Sequence, residues 1–126
     1  MTTRGIRGAT TIESDTKDNV LSATKELLEA ILRVNSDLKT DDIASAIFTV
    51  TDDIVSAYPA LAARQIGWTQ VPMMCAREIP VEGSLRLCIR VLIHWNTEKP
   101  QSEIKHVYLR EAVKLRPDLI AAPLCV

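Results

Sequence analysis

From residue 85 to residue 95 side chains alternate in character with a period of two, and nothing else in the chain constrains its fold as strongly. Leu85, Leu87, Ile89, Val91, Ile93 and Trp95 fall on one face of an extended segment, with Arg86, Cys88, Arg90, Leu92 and His94 on the other. A strand with one continuous apolar face must lie under a second layer of structure. That layer is predicted from residues 14 to 34, where Val20, Thr24, Leu27, Leu28, Ile31 and Asn35 recur at spacings of three and four. The opposite side of this helix carries Lys17, Lys25, Glu29 and Arg33, and Ser14 and Asp15 are its cap candidates.

Around these two elements, strand and helix signals alternate in short blocks, which indicates a mixed α/β or α+β fold. Residues 3–12 read as a first strand, and Ala46-Ile47-Phe48-Thr49-Val50 as a buried one after a short turn at Thr40. Asp52 or Asp53 is expected to cap a second helix running through Tyr58-Pro59-Ala60 to Ile66, with Gly67 closing it and Pro59 imposing a kink or a fresh start. Residues 68–76 look extended, and Val81-Glu82-Gly83 forms a turn. A third helix is expected from Thr97 and Pro100 to Tyr108, and a last strand from Ala112 to Leu115. With 126 residues, 47% of them apolar, the chain is expected to form a single domain over its whole length.

Composition removes several function classes. Sixteen acidic residues nearly cancel fifteen basic ones, so no overall field recruits nucleic acid or an anionic membrane. No apolar run approaches the roughly 20 residues that cross a bilayer. The first residues, Met1 to Arg7, lack the apolar middle of a secretory signal, so a soluble, cytoplasmic protein is expected. Cys75, Cys88 and Cys125 are odd in number and widely spaced, which suits a reducing compartment. His94 and His106 stand apart from any thiolate cluster, and Asp41-Asp42 and Asp52-Asp53 lack the spacing of a calcium loop, so no metal is expected. Arg4-Gly5-Ile6-Arg7-Gly8 is not a phosphate loop.

Chemistry is then left to the arginines, which outnumber lysines nine to six. Arg90 lies within Leu87-Cys88-Ile89-Arg90-Val91-Leu92-Ile93, and a guanidinium among such neighbours is expensive to desolvate alone. It faces solvent beside Arg86, or pairs with a carboxylate, or awaits a bound anion. Arg7, Arg64 and Arg116 also lie at element ends or in apolar settings, where planar forks suit carboxylates. Cys75 and Glu78, three positions apart, fall on opposite faces of a regular strand, so serving one site would require a turn between them. Cys75 has no histidine placed to activate it, and Tyr108 reads as an aromatic at a helix end.

Six stretches, in order, carry a resemblance: Arg4-Gly5-Ile6-Arg7-Gly8-Ala9-Thr10-Thr11, Tyr58-Pro59-Ala60, Gly67-Trp68 with Val71-Pro72, Cys88-Ile89-Arg90-Val91, His106-Val107-Tyr108-Leu109 and Leu115-Arg116-Pro117-Asp118-Leu119. They resemble the small monofunctional AroH-class chorismate mutases from Arg4 to about Leu119. The resemblance implies a mixed sheet with helices on one face, a homotrimer with a pseudo-barrel core, and active sites in the clefts between subunits. It implies a Claisen rearrangement of chorismate to prephenate, which is unimolecular and uses no cofactor.

Residue by residue, the resemblance puts Arg90 at the breaking ether bond and the side-chain carboxylate, with Arg7 and Tyr108 holding that carboxylate. Met74, Cys75, Ala76, Arg77 and Glu78 would line the pocket, Cys75 and Glu78 taking the ring hydroxyl. Tyr58 and Arg64 would reach in from a neighbouring subunit, and Arg116 with a mobile tail at 117–126 would close over the ring carboxylate. Two positions depart from the family pattern: Leu61 stands where a lysine is usual, and Tyr58 where phenylalanine is. Two other readings keep an arginine-lined cleft: a trimeric imine deaminase of the RidA type, and a trimeric module that binds a small carboxylate.

Overall fold

The computed structural model describes residues 2–115. Its centre is a five-stranded mixed sheet built from β1 (Thr3–Thr11), β2 (Ile43–Val50), β3 (Met73–Arg77), β4 (Cys88–Asn96) and β5 (Val107–Tyr108), in the order β3-β2-β4-β1-β5. β4 is antiparallel to both neighbours, whereas β3 runs parallel to β2 and β5 parallel to β1. Two helices, α1 (Lys17–Val34) and α2 (Pro59–Gln65), share one apolar core with a single face of this sheet. Among the described residues, no helix is long and apolar enough to cross a membrane.

The alternation along β4 sets that core. Ile89, Val91, Ile93 and Trp95 are at most 3% exposed, and the register places Thr10, Gly8, Ile6 and Arg4 of β1 beside them. Phe48 and Ala46 of β2 continue the same face. The predicted stripe of α1 covers it, with Val20, Thr24, Leu27, Leu28, Ile31 and Asn35 all buried. Thr16, and neither expected candidate, caps this helix by accepting from the Asn19 amide at 3.1 Å, since Asp15 is engaged elsewhere and the Ser14 hydroxyl accepts from the Asn19 side chain. At its far end Asn35 clamps the chain at Lys105, accepting from its N–H at 3.0 Å and donating to its carbonyl at 2.9 Å.

Several expected elements are shorter or of another kind. The second helix starts afresh at Pro59 and not at Asp52 or Asp53, since Asp53 accepts from the Leu87 amide at 3.1 Å and from Thr51. Leu85 and Leu87 stay outside β4, Leu87 adopting a φ of 49° held by that Asp53 contact. In place of a third helix there is one 3-10 turn, Gln101–Glu103, followed by β5 against β1. The expected strand at residues 112–115 lies within a 3-10 helix, Arg110–Leu115. Gly67, at a φ of +100°, follows α2 as expected.

The segment leading into α2 has an electrostatic anchor. The Asp15 carboxylate accepts from the Val55 amide at 2.9 Å and from both the amide and the hydroxyl of Ser56. The Ser56 hydroxyl, more than any other partner, holds this carboxyl below its ordinary value of 3.8. From across the loop, Arg77 Nη1 donates to the carbonyls of Thr51 at 2.9 Å and Ile54 at 2.7 Å.

Two outcomes test this architecture. A Cβ at Gly8 would stand 2.8 Å from Ile31 Cδ1 and 3.2 Å from Val91 Cγ1. Gly8→Ala should therefore lose about 1–3 kcal/mol of stability in denaturant unfolding, and an unchanged midpoint would contradict the close approach of α1 to β1. Asp15→Asn should lower stability at neutral pH, because the ionised carboxylate is the better acceptor. Since folding lowers the Asp15 pKa, the advantage of the native residue holds above 3.8 and shrinks as the pH falls below it. A difference between the two proteins that ignores pH would refute the anchor.

Candidate active site

The sheet face away from the helices carries the polar half of the expected site. Arg90 in β4 has Ala9 of β1 on one side and Thr49 of β2 on the other, and Arg7 and Tyr108 lie on the same face. Arg90 is neither solvated, as Arg86 is, nor fully enclosed: its side chain is 23% exposed. Its Nε lies 3.5 Å from Glu78 Oε2, close enough for an ion pair, yet among the described residues that buried Nε–H finds no acceptor at hydrogen-bond geometry. Glu78 is itself held, accepting from the Thr49 hydroxyl, while its own amide donates to the Val50 carbonyl at 2.9 Å. Two residues before Arg90, burial pushes the Cys88 thiol above its ordinary value, with the guanidinium pulling the other way.

This arrangement is electrostatically unfinished. A guanidinium offers five donors in a plane, and a single carboxylate at ion-pair distance does not satisfy them all. An anion delivered to this face would meet a cation already desolvated by its neighbours and fixed on a central strand.

β3 separates the remaining candidates into two groups. Met74 and Ala76 pair with Ile47 and Thr49, and Glu78 continues the alternation on that Arg90 face. Cys75 and Arg77 point to the helix side, where the Cys75 side chain packs against the apolar core. No turn intervenes, so within one chain the Cys75 thiol and the Glu78 carboxylate are not brought together. The pairing of the Ala46 amide with Pro72 and of the Glu78 amide with Val50 turns the even-numbered backbone groups toward β2. Those of Cys75 therefore face the free edge of the sheet.

At that edge, Tyr58, Leu61, Cys75, Ala76 and Arg77, with Lys17, line a cleft of about 450 Å³. Tyr58 precedes the first turn of α2 and is 75% exposed. Arg64 lies in the last turn of α2, exposed, where a cation also suits the helix dipole. Arg116 and the segment 117–126 lie outside the described residues. The sequence gives Thr49 and Cys88 no place at this site. Only their register beside Glu78 and Arg90 gives them meaning, and register is not written in a local pattern.

Comparison with known proteins gives the chain a family. The family model described as chorismate mutase type I matches residues 3–119. Chorismate mutase AroH of Thermus thermophilus is 56% identical over 119 residues, spanning 94% of this chain and 98% of that protein. Chorismate mutase AroH of Bacillus subtilis is 46% identical over 120 residues, spanning 94% of each. The solved chorismate mutase from Clostridium thermocellum superposes with a TM-score of 0.85 at 50% identity, covering 87% of this chain and 97% of its own. With a mixed sheet, an arginine-bearing open face and matches of this extent, the chain belongs to the chorismate mutase type I family.

Proposed function

We propose that this protein isomerises chorismate to prephenate, in aromatic amino-acid biosynthesis, by a cofactor-free Claisen rearrangement. The observation that carries the reading is the Arg90 guanidinium, half-buried on a central strand and incompletely met by Glu78. As the ether C–O bond lengthens, negative charge grows on its oxygen, and a fixed cation stabilises the transition state more than the ground state. The reaction is unimolecular and breaks no bond to hydrogen, so it asks for charge and conformational restriction and not for a nucleophile or base.

Around Arg90, Arg7 and Tyr108 hold the side-chain carboxylate. Glu78 takes the ring hydroxyl together with the edge backbone of Cys75, and Met74 and Ala76 complete the lining on this face, whereas Arg77 belongs to the adjoining cleft at the β3 edge. Arg116 is assigned the ring carboxylate. Tyr58 and Arg64 come from a neighbouring copy, because the cleft at the β3 edge and the Arg90 face lie on different sides of one chain. The active form is a homotrimer working in the cytoplasm, its single domain contributing the open sheet face to the shared core. Supporting this assembly, that face exposes Ile47, Leu92 and Met74, apolar surface that a second copy would cover. Leu61 at the cleft replaces a cation with an apolar side chain, which weakens the attraction of a dianion to the cleft mouth.

The first test is the loss of chorismate absorbance with purified protein in the presence of a chelator, with prephenate identified as product. Turnover supports the reading, and a folded protein that binds small carboxylates without turnover would replace it with a binding module. Arg90→Lys keeps the charge and loses the fork, and should cost about 3 kcal/mol or more of transition-state stabilisation, roughly a hundredfold in kcat/KM. Near-native turnover in that variant would remove Arg90 from the reacting oxygen. Cys75→Ser should keep most activity, since the thiol attacks nothing. Abolished turnover in a folded Cys75→Ser protein would reopen covalent catalysis.

A further inference from the structure

We propose that His106 is a positioning residue for Arg7, fixing the backbone from which that guanidinium reaches the substrate. The inference rests on the carboxylate-binding role proposed for Arg7, and on how the outer edge of β1 is completed. Gly5, Arg7 and Ala9 direct their backbone groups away from β4, toward the side where β5 provides only two residues. Ala9 is served by the backbone, its carbonyl accepting from the Leu109 amide at 2.9 Å. Gly5 is served by a side chain: its amide donates to Gln101 Oε1 at 3.0 Å and its carbonyl accepts from Gln101 Nε2 at 2.7 Å.

Arg7 lies between them. With Ala9 opposite Tyr108, a continued parallel ladder would present the Lys105 carbonyl to the Arg7 amide. That carbonyl is taken by Asn35, which is buried at the end of α1 and also holds the Lys105 amide. The chain is thereby pulled off the edge one residue too early, and the His106 imidazole fills the gap. The Arg7 amide donates to His106 Nδ1 at 3.0 Å. An accepting Nδ1 carries no proton, so the ring proton resides on Nε2. The imidazole thus acts as a surrogate strand, on the residue immediately before β5, which delivers Tyr108 to the same face as Arg7.

A substitution cycle tests this against a merely structural role. His106→Ala should raise KM for chorismate at least about fivefold with kcat within about twofold, because carboxylate binding is shared by ground and transition states. His106→Asn, whose Oδ1 offers an acceptor near the place of Nδ1, should restore KM to within about twofold. In an Arg7→Ala background the His106→Ala effect should vanish, since the histidine acts only through Arg7. An unchanged KM, equal losses in both backgrounds, or failure of Asn to rescue would each overturn the proposal. His106→Phe, which keeps ring volume without an acceptor, carries the comparison if the alanine protein does not fold. If neither folds, the role is structural and the proposal falls. Amide exchange at Arg7, protected in the native and Asn proteins and faster in the Ala protein, reads the hydrogen bond without substrate. Absence of chorismate turnover in the native protein would overturn the proposed reaction and leave this readout standing.

Discussion

The two-sidedness of β4 governs the rest of the molecule. Ile89, Val91, Ile93 and Trp95 can be buried only on one face of the strand, and their burial beneath α1 and α2 forces Arg90, Leu92 and His94 onto the other. A slip of one residue would place a guanidinium in the core at a cost of several kcal/mol, so the register is held by the same contrast that creates the site. Gly8 contributes by letting Ile31 and Leu27 of α1 approach β1 directly. The cationic face is therefore a by-product of core packing in its position, and distinctive only in its chemistry.

That chemistry is poised by incomplete pairing. Glu78 offsets part of the cost of desolvating Arg90, while Thr49 keeps the carboxylate from turning fully onto the guanidinium. Complete bidentate pairing would neutralise the arginine and make it a worse partner for an incoming anion, and no pairing would leave its desolvation unopposed. For a reaction whose only demand is charge stabilisation and a folded substrate, a central strand is the appropriate mount. Its backbone is fixed on both sides by neighbouring strands, so little reorganisation is left for the reaction itself.

Legibility in the sequence followed the range of the interactions concerned. α1 and β4 from Ile89 to Trp95 were readable because their side chains repeat with the period of the element and are buried accordingly, and β2 was readable from its β-branched and aromatic content. The errors cluster where a side chain was claimed by a distant partner. Asp53 looked like a helix cap and instead holds the amide of Leu87, and His106-Val107-Tyr108 looked helical and instead pairs with β1 across nearly the whole chain. The opposite facing of the Cys75 and Glu78 side chains follows from strand geometry, and the turn that would bring both side chains to one site is absent from this segment, which leaves Cys75 only its edge backbone to share with Glu78. Arg90 could be singled out from its apolar neighbours alone, but its meeting with Glu78 and Thr49 depends on sheet order, which no local pattern encodes.

The division of the proposed site between two surfaces has a mechanical consequence. The charged surface is carried by β1 and β4, whose positions are set by ladder hydrogen bonds and a packed core. The cleft at the β3 edge depends instead on a loop tied down by polar contacts from Asp15 and Arg77 to residues 51–56. Electrostatic stabilisation falls off when donors move by fractions of an ångström, whereas enclosing an apolar ring tolerates adjustment. The rigid element thus bears the work that depends on distance, and the more adaptable one bears the work that depends on shape. In the proposed site the substrate touches both surfaces where copies of the chain meet. Assembly would then be a condition of forming the pocket at all, and not a later addition to a finished one.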